Sequence, residues 1–186
     1  MRARLIAAGA FCIVASACGL GPVPPASAGP TTSVPARAED SQGSFRLVLE
    51  LPKTEWHTNE AITGEATLSV IGSEAVYYGS SGSGPILFSF DQLDGNRHMS
   101  GPETADCRWR RLEPGIPVSS PIRKSGPGFG PDAKPSDFDR WWATDPEIHL
   151  PPGEWRITAI AEAWHAICPG PGDLALRAAI VLHVSA

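Results

Sequence analysis

The chain has 186 residues, a net charge of −5 and an apolar fraction of 42%, values ordinary for a globular chain. It carries no block of like charge and no basic stripe, so nothing in it favours nucleic acid as a partner. Once a leader and a spacer are set aside, roughly 140 residues remain, enough for one domain with its own core.

The first residues have the plan of an export signal. Arg2 and Arg4 precede an uncharged run from Leu5 to Ala17, the pattern of a positive n-region and an apolar h-region. The run is shorter than the roughly 20 residues a spanning helix needs, and no later stretch is long enough either. It ends in Ala15-Ser16-Ala17-Cys18-Gly19. This segment resembles the bacterial lipobox, in which small residues precede a cysteine that receives diacylglycerol. The family most often has leucine where this chain has Ala15. The resemblance implies cleavage before Cys18, loss of residues 1–17 and anchoring at the extracytoplasmic face of the cell membrane. Stable anchoring takes at least two acyl chains, which a diacylated cysteine supplies. The alternative is plain secretion, because Ala15-Ser16-Ala17 and Ala26-Ser27-Ala28 both satisfy the A-x-A rule.

Residues 18–43 read as a tether. Prolines alternate with Ser, Thr, Ala and Gly without an apolar period, so the segment cannot bury enough surface to offset its ordering entropy. Where it is polyproline II it extends by about 3.1 Å per residue. Pro-rich segments can also serve as ligands for SH3-like domains.

From 44 to 186 the period changes to that of strands. Phe45 to Leu51 alternates apolar and polar residues. Lys53 to Asn59 is polar and turn-like. Ile62, Gly64, Ala66, Leu68 and Val70 share the face of a second strand. Ala75 to Tyr78 is a short third, followed by a flexible run from Gly79 to Gly84. Ile86, Phe88 and Phe90 alternate again, and Asp94-Gly95 is a hairpin signal. Cys107 to Leu112 and Ile116 to Ser119 are candidate strands. Residues 120–147 form a Gly/Pro-rich insert, in which Asp137 to Thr144 can make a short helical turn with Asp137 near its start. Trp155, Ile157, Ala159, Ala161 and Ala163 mark a long strand after Pro151-Pro152-Gly153. Leu174, Leu176, Ala178, Ile180, Leu182 and Val184 mark a last one. About seven strands separated by Gly/Pro turns predict an all-β, antiparallel sandwich or barrel. Trp109 and Trp155, on strand faces, are expected in its core.

The segments NEAITGEATLSV and LPPGEWRITAIAEA resemble the Ig-like β-sandwiches of bacterial envelope proteins. There an early strand carries a Gly-Glu step and a late hairpin opens on a Pro-Gly turn. ILFSFDQLDGNRHM is similar to the middle of the small sandwich typified by the Bacillus intracellular proteinase inhibitor. The resemblance spans about 44–185 and implies an Ig-like sandwich. It also implies, as one alternative, an inhibitor-like domain acting on an envelope protease.

Of the four cysteines, Cys12 lies in the signal and Cys18 is the lipid acceptor. Cys107 and Cys168 remain as a pair in a compartment that permits disulfides. Their bond would close a loop of about 60 residues and contribute roughly 4 kcal/mol in the chain-entropy model. The rival is a metal site using His165, Cys168 and Cys107, but neither CxxC nor HxxxH accompanies them.

No GxSxG, GxxxxGK[ST] or HExxH occurs, so no catalytic, cofactor or metal residue is assigned. Asp132, Asp137, Asp139, Asp145 and Glu147 cluster in the insert, where a solvated face is expected and calcium binding or acid–base work are the alternatives. Trp141-Trp142, with Phe129 and Phe138, is either a plug over the core or a contact surface for a ligand or envelope protein. The leading expectation is a membrane-tethered, non-enzymatic binding or interaction module. An inhibitor-like domain is second and a small hydrolase or metal-dependent enzyme third. Oligomeric state has no signature in the sequence.

Overall fold

The computed structural model describes residues 35–100, 106–124, 134, 136–163 and 174–186, all within one compact unit, Ser33–Ala186. In chain order the strands are β1 (Ala36–Gln42), β2 (Phe45–Leu51), β3 (Glu55–His57), β4 (Glu65–Val70), β5 (Val76–Ser81), β6 (Leu87–Gln92) and β7 (His98–Ser100). They continue as β8 (Cys107–Leu112), β9 (Val118–Pro121), then helix α1 (Asp137–Thr144), β10 (Gly153–Ala163) and β11 (Leu174–Ser185).

The fold is an all-β sandwich. One sheet has the order β1-β2-β4-β9 and the other β3-β11-β10-β6-β7, and β5 and β8 make a separate two-stranded ribbon. Every pairing is antiparallel except that of β3 with β11. The described residues thus contain eleven strands where the sequence pattern showed about seven. The additional ones are short or polar edge strands, which present little hydrophobic period to read.

The core follows from alternation. On β11, Leu174, Leu176, Ala178, Ile180, Leu182 and Val184 are buried while the residues between them are exposed. On β10, Trp155, Ile157, Ala159 and Ala161 are buried, with Trp155 fully so. Leu47, Leu49 and Leu51 of β2 and Ala66, Leu68 and Val70 of β4 face them from the opposite sheet. Ile62 lies ahead of β4, not within it, yet is buried in the same core. Gly64 lies where β2, β4 and the residue after β9 converge. A Cβ there would fall 2.6 Å from the Glu50 carbonyl oxygen and 2.7 Å from Ile122 Cδ1, so only glycine permits the approach.

Several expectations are corrected. Residues 36–42, assigned to the tether, form β1, so the folded domain begins before residue 44. Their sequence shows no apolar stripe beyond Ala36 and Ala38. What holds them is pairing with β2, which sets Arg37 opposite Glu50 and joins the two in a salt bridge. Gly43, at φ 59°, takes the first central position of the two-residue turn between Gln42 and Phe45, a conformation that favours glycine. Asp40 and Gln42 also reach the other sheet, accepting from Arg177 N at 2.8 Å and Ala175 N at 3.1 Å. Those amides lie on the edge of β11 that β3 does not reach, where an unsatisfied donor would be costly.

The polar stretch 53–59 contains β3, recruited because Trp56 is buried beside Val184. Gly79, Ser80 and Ser81, expected in a flexible run, belong to β5 and pair with β8. Trp109, expected in the core, is 55% exposed. The apolar positions of β8 fall in two phases, Cys107 and Trp109 against Leu112, and Leu112 is the residue that packs inward. Residues 1–34, 101–105, 125–133, 135 and 164–173 lie outside the described residues. So do Cys18, Cys168, Phe129, Asp132 and His165.

Candidate functional site

The end of the sandwich where β10 begins is covered by α1. Ser136 is its N-cap, and a capping box joins Ser136 to Asp139. The Ser136 hydroxyl accepts from Asp139 N at 3.1 Å, and Asp139 Oδ2 accepts from Ser136 N at 2.7 Å. Asp137 and Asp139 place negative charge in the first turn, where the helix dipole favours it. Asp137 was expected near the start and is the first helical residue, while Ser136 supplies the cap.

The last turn of α1 has no basic residue of its own. Lys124, which follows β9, supplies the missing charge. Its ammonium donates to the carbonyls of Trp142 at 3.2 Å and Asp145 at 2.9 Å, and it lies 3.7 Å from Asp145 Oδ2. It also sits 4.6 Å from the centre of the Trp142 ring and 5.5 Å from that of Trp141. One cation therefore caps the helix, neutralises a carboxylate and faces two aromatic rings. Burial pushes the Lys124 ammonium below its ordinary pKa, and Asp145 only partly opposes that.

Asp145 is the hub. Its Oδ2 bonds to His149 Nδ1 at 2.8 Å and its Oδ1 accepts from Glu147 N at 2.9 Å. His149 Nε2 is 3.6 Å from Glu147 Oε2. Burial alone would raise the Asp145 carboxyl. The His149 bond, the Glu147 amide and the Lys124 charge outweigh that and hold it below its ordinary value.

The adjacent tryptophans divide as helical geometry dictates, since successive side chains on a helix point about 100° apart. Trp142 is 2% exposed and Trp141 is 38% exposed. Trp142 meets Phe90 edge-on at 5.1 Å between ring centres. Phe138 is half-buried, 5.6 Å from Trp141 and 6.3 Å from Trp155, against which it stacks. Trp142 is thus a core plug, which corrects its place in the expected contact surface. Trp141 keeps an accessible ring. A cleft of about 370 Å³ has Ile62, Ile122, Lys124, Trp142, Asp145 and Glu147 in its lining; Trp141 is outside that lining and adjoins it through Lys124, 5.5 Å from its ring centre.

Among the described acids of the insert, Asp145 and Glu147 meet at His149, and the others stand apart. Asp137 pairs with Arg140, Asp139 is in the capping box, and Asp145 is in the Lys124 network. No group of His, Cys, Asp and Glu arranged to hold a metal occurs among the described residues. One nucleophile–base contact does occur, Ser185 Oγ to His57 Nδ1 at 2.7 Å. Glu60, three residues on, pairs with Lys53 and meets the His57 backbone amide, not its ring. Among the described residues no carboxylate hydrogen-bonds to the His57 ring, so none is seen to orient the base. Cys107 opens β8, and its expected partner Cys168 lies outside the described residues. Lys124 has no signal in the sequence, because a lone lysine in a Gly/Pro-rich stretch makes no pattern. Only the fold brings it under α1.

No protein-family model matches this chain, and no curated protein matches it. Among solved structures it is similar to a β-glucosidase from Listeria innocua in complex with glucose. The identity is 12%, the alignment covers 83% of this chain and 16% of that one, and the TM-score is 0.36. The chain therefore spans about one sixth of that protein's length, and a likeness this slight assigns neither fold nor activity.

Proposed function

We propose that this protein is a membrane-anchored, extracytoplasmic lipoprotein. Its β-sandwich acts as a non-enzymatic binding module, with Trp141 and the adjoining cleft as the contact surface. The observation that carries the reading is the split between the two tryptophans. Trp142 locks α1 onto the core, and Trp141 is presented at 38% exposure on the helix it holds rigid. A large ring on a fixed element loses little conformational entropy on binding, which suits it as an anchor for an envelope protein. The lipid anchor at Cys18 would set the module at the membrane surface.

The test has two arms. Cys18→Ala should release the protein from the membrane fraction or block its processing, and normal membrane retention would exclude the anchor. Trp141→Ala should leave the melting temperature within a few degrees of wild type and abolish crosslinking of the partner that wild type captures in intact cells. Unchanged capture would exclude this surface.

A further inference from the structure

His149 sits between two carboxylates of unequal freedom. Its Nδ1 bonds to Asp145 Oδ2 at 2.8 Å, and its Nε2 lies 3.6 Å from Glu147 Oε2. The Asp145 side chain is 13% exposed and that of Glu147 is 62% exposed. Asp145 is fixed by further contacts, with Lys124 Nζ at 3.7 Å and the Glu147 amide at 2.9 Å. Among the described residues, no cationic side chain other than His149 pairs with Glu147. Glu147 also belongs to the lining of the cleft.

Hydrogen-bond chemistry fixes which ring nitrogen titrates. Burial raises the Asp145 carboxyl, but the His149 bond, the Glu147 amide and the Lys124 charge outweigh it and hold the group below its ordinary value. Asp145 is therefore ionised wherever histidine changes charge. An ionised carboxylate only accepts, so Nδ1 carries the hydrogen. In the neutral ring, Nε2 then turns a lone pair toward the Glu147 carboxylate, and no proton joins the two acceptors. A proton taken up at Nε2 makes this a charge-assisted hydrogen bond once the atoms close to about 2.7–2.9 Å.

The charged groups on the neighbouring elements are already engaged. The segment 57–62 packs on this one through Ile62 N to Ile148 O at 2.8 Å and Thr58 Oγ1 to Leu150 O at 3.2 Å. Its Glu60 is taken by Lys53, and its His57 bonds to Ser185. Beside Lys124, Arg123 donates to Ser83 O at 2.6 Å. On α1, Asp137 pairs with Arg140 and Asp139 closes the capping box.

We propose that His149 is a proton-operated latch on the wall of the cleft, with Glu147 as the part that moves. With the ring neutral, Glu147 stands on the lining as a carboxylate without a bonded cation. With the ring protonated, the imidazolium draws that carboxylate in and closes the wall from Asp145 to His149. The cleft thus offers a negative charge to a cationic group at neutral pH and withdraws it in mildly acid surroundings. This use of the latch rests on the reading of the cleft as a contact surface, whereas the latch itself does not.

Nuclear magnetic resonance of the full chain between about pH 5.5 and 7.5 tests the latch, in the range where histidine changes charge. It needs no partner, so its outcome is separate from that of the capture experiment with Trp141→Ala. His149 Nδ1 should stay protonated throughout while Nε2 gains its proton. The Glu147 side-chain carboxyl carbon should shift with the same midpoint, and so should the amide of Thr63, which also lines the cleft. His149→Gln, whose amide can still donate to Asp145, should abolish both steps. If that variant fails to fold, Glu147→Gln decides the matter, because its side chain is exposed. It should leave the ring titrating and remove the Thr63 step. The proposal is overturned if the Glu147 carboxyl carbon shows no step in this window, or if the step survives in His149→Gln. Titration at Nδ1 instead of Nε2 also overturns it, as does a Thr63 response unchanged in Glu147→Gln.

Discussion

Replacing Trp142 by alanine removes the side chain that joins α1 to the sandwich. The ring is 2% exposed, packs edge-on against Phe90 at 5.1 Å, and lies under the Lys124 ammonium at 4.6 Å. Truncating a buried Trp or Phe to alanine costs about 3–5 kcal/mol. Loss of the aromatic pair and the partly buried cation contact pushes the expectation to the upper end of that range. Lys124 would then keep its charge with one face open to the vacated space. A domain of this size shifts by about 2–4 °C per kcal/mol, so the melting temperature should fall by roughly 8–20 °C. Trp141→Ala, on a half-exposed ring, should cost less than about 1 kcal/mol. Urea unfolding followed by circular dichroism measures both. A Trp142→Ala variant within about 1 kcal/mol of wild type, or a Trp141→Ala variant as unstable as Trp142→Ala, would refute the division into plug and presented ring.

Asp145 and Glu60 are held below their ordinary pKa values, so folding favours their ionised forms. For Glu60 the main cause is the hydrogen bond from Lys53. Such a contribution is full above the unfolded-chain value of about 4 and is lost as pH falls through the lower folded value. Stability should therefore fall below about pH 4, and Asp145→Asn should make that decline shallower; an identical acid profile would contradict the network. Tyr78 Oη is buried with no hydrogen-bond partner among the described residues, and burial raises its pKa. Tyr78→Phe should be neutral or stabilising by up to about 2 kcal/mol, and a clear loss in urea unfolding would reveal a partner. Non-reducing peptide mapping of the mature protein should recover Cys107 linked to Cys168. Alkylation of both thiols without prior reduction would exclude that bond.

Strand periodicity alone located the long central strands. β2, β10 and β11 fall where alternation placed them, and on β11 each residue of the apolar stripe is buried. The helix spans the residues marked as a helical turn, since capping chemistry and propensity are local. These features were legible because a half-buried strand or a capped helix writes its environment into its own sequence.

The tertiary structure decided the rest. β1 and β3 are polar segments that become strands only because β2 and β11 offer them free edges. Trp109 faces outward because Leu112 takes the core-facing phase of β8. The two tryptophans of α1 differ because a helix, not an extended loop, carries them, and Lys124 gains its role only when the fold sets it beneath that helix. Each of these outcomes rests on a contact between residues distant in sequence. Residue types along the chain limit which such contacts are possible, and packing of the two sheets selects among them.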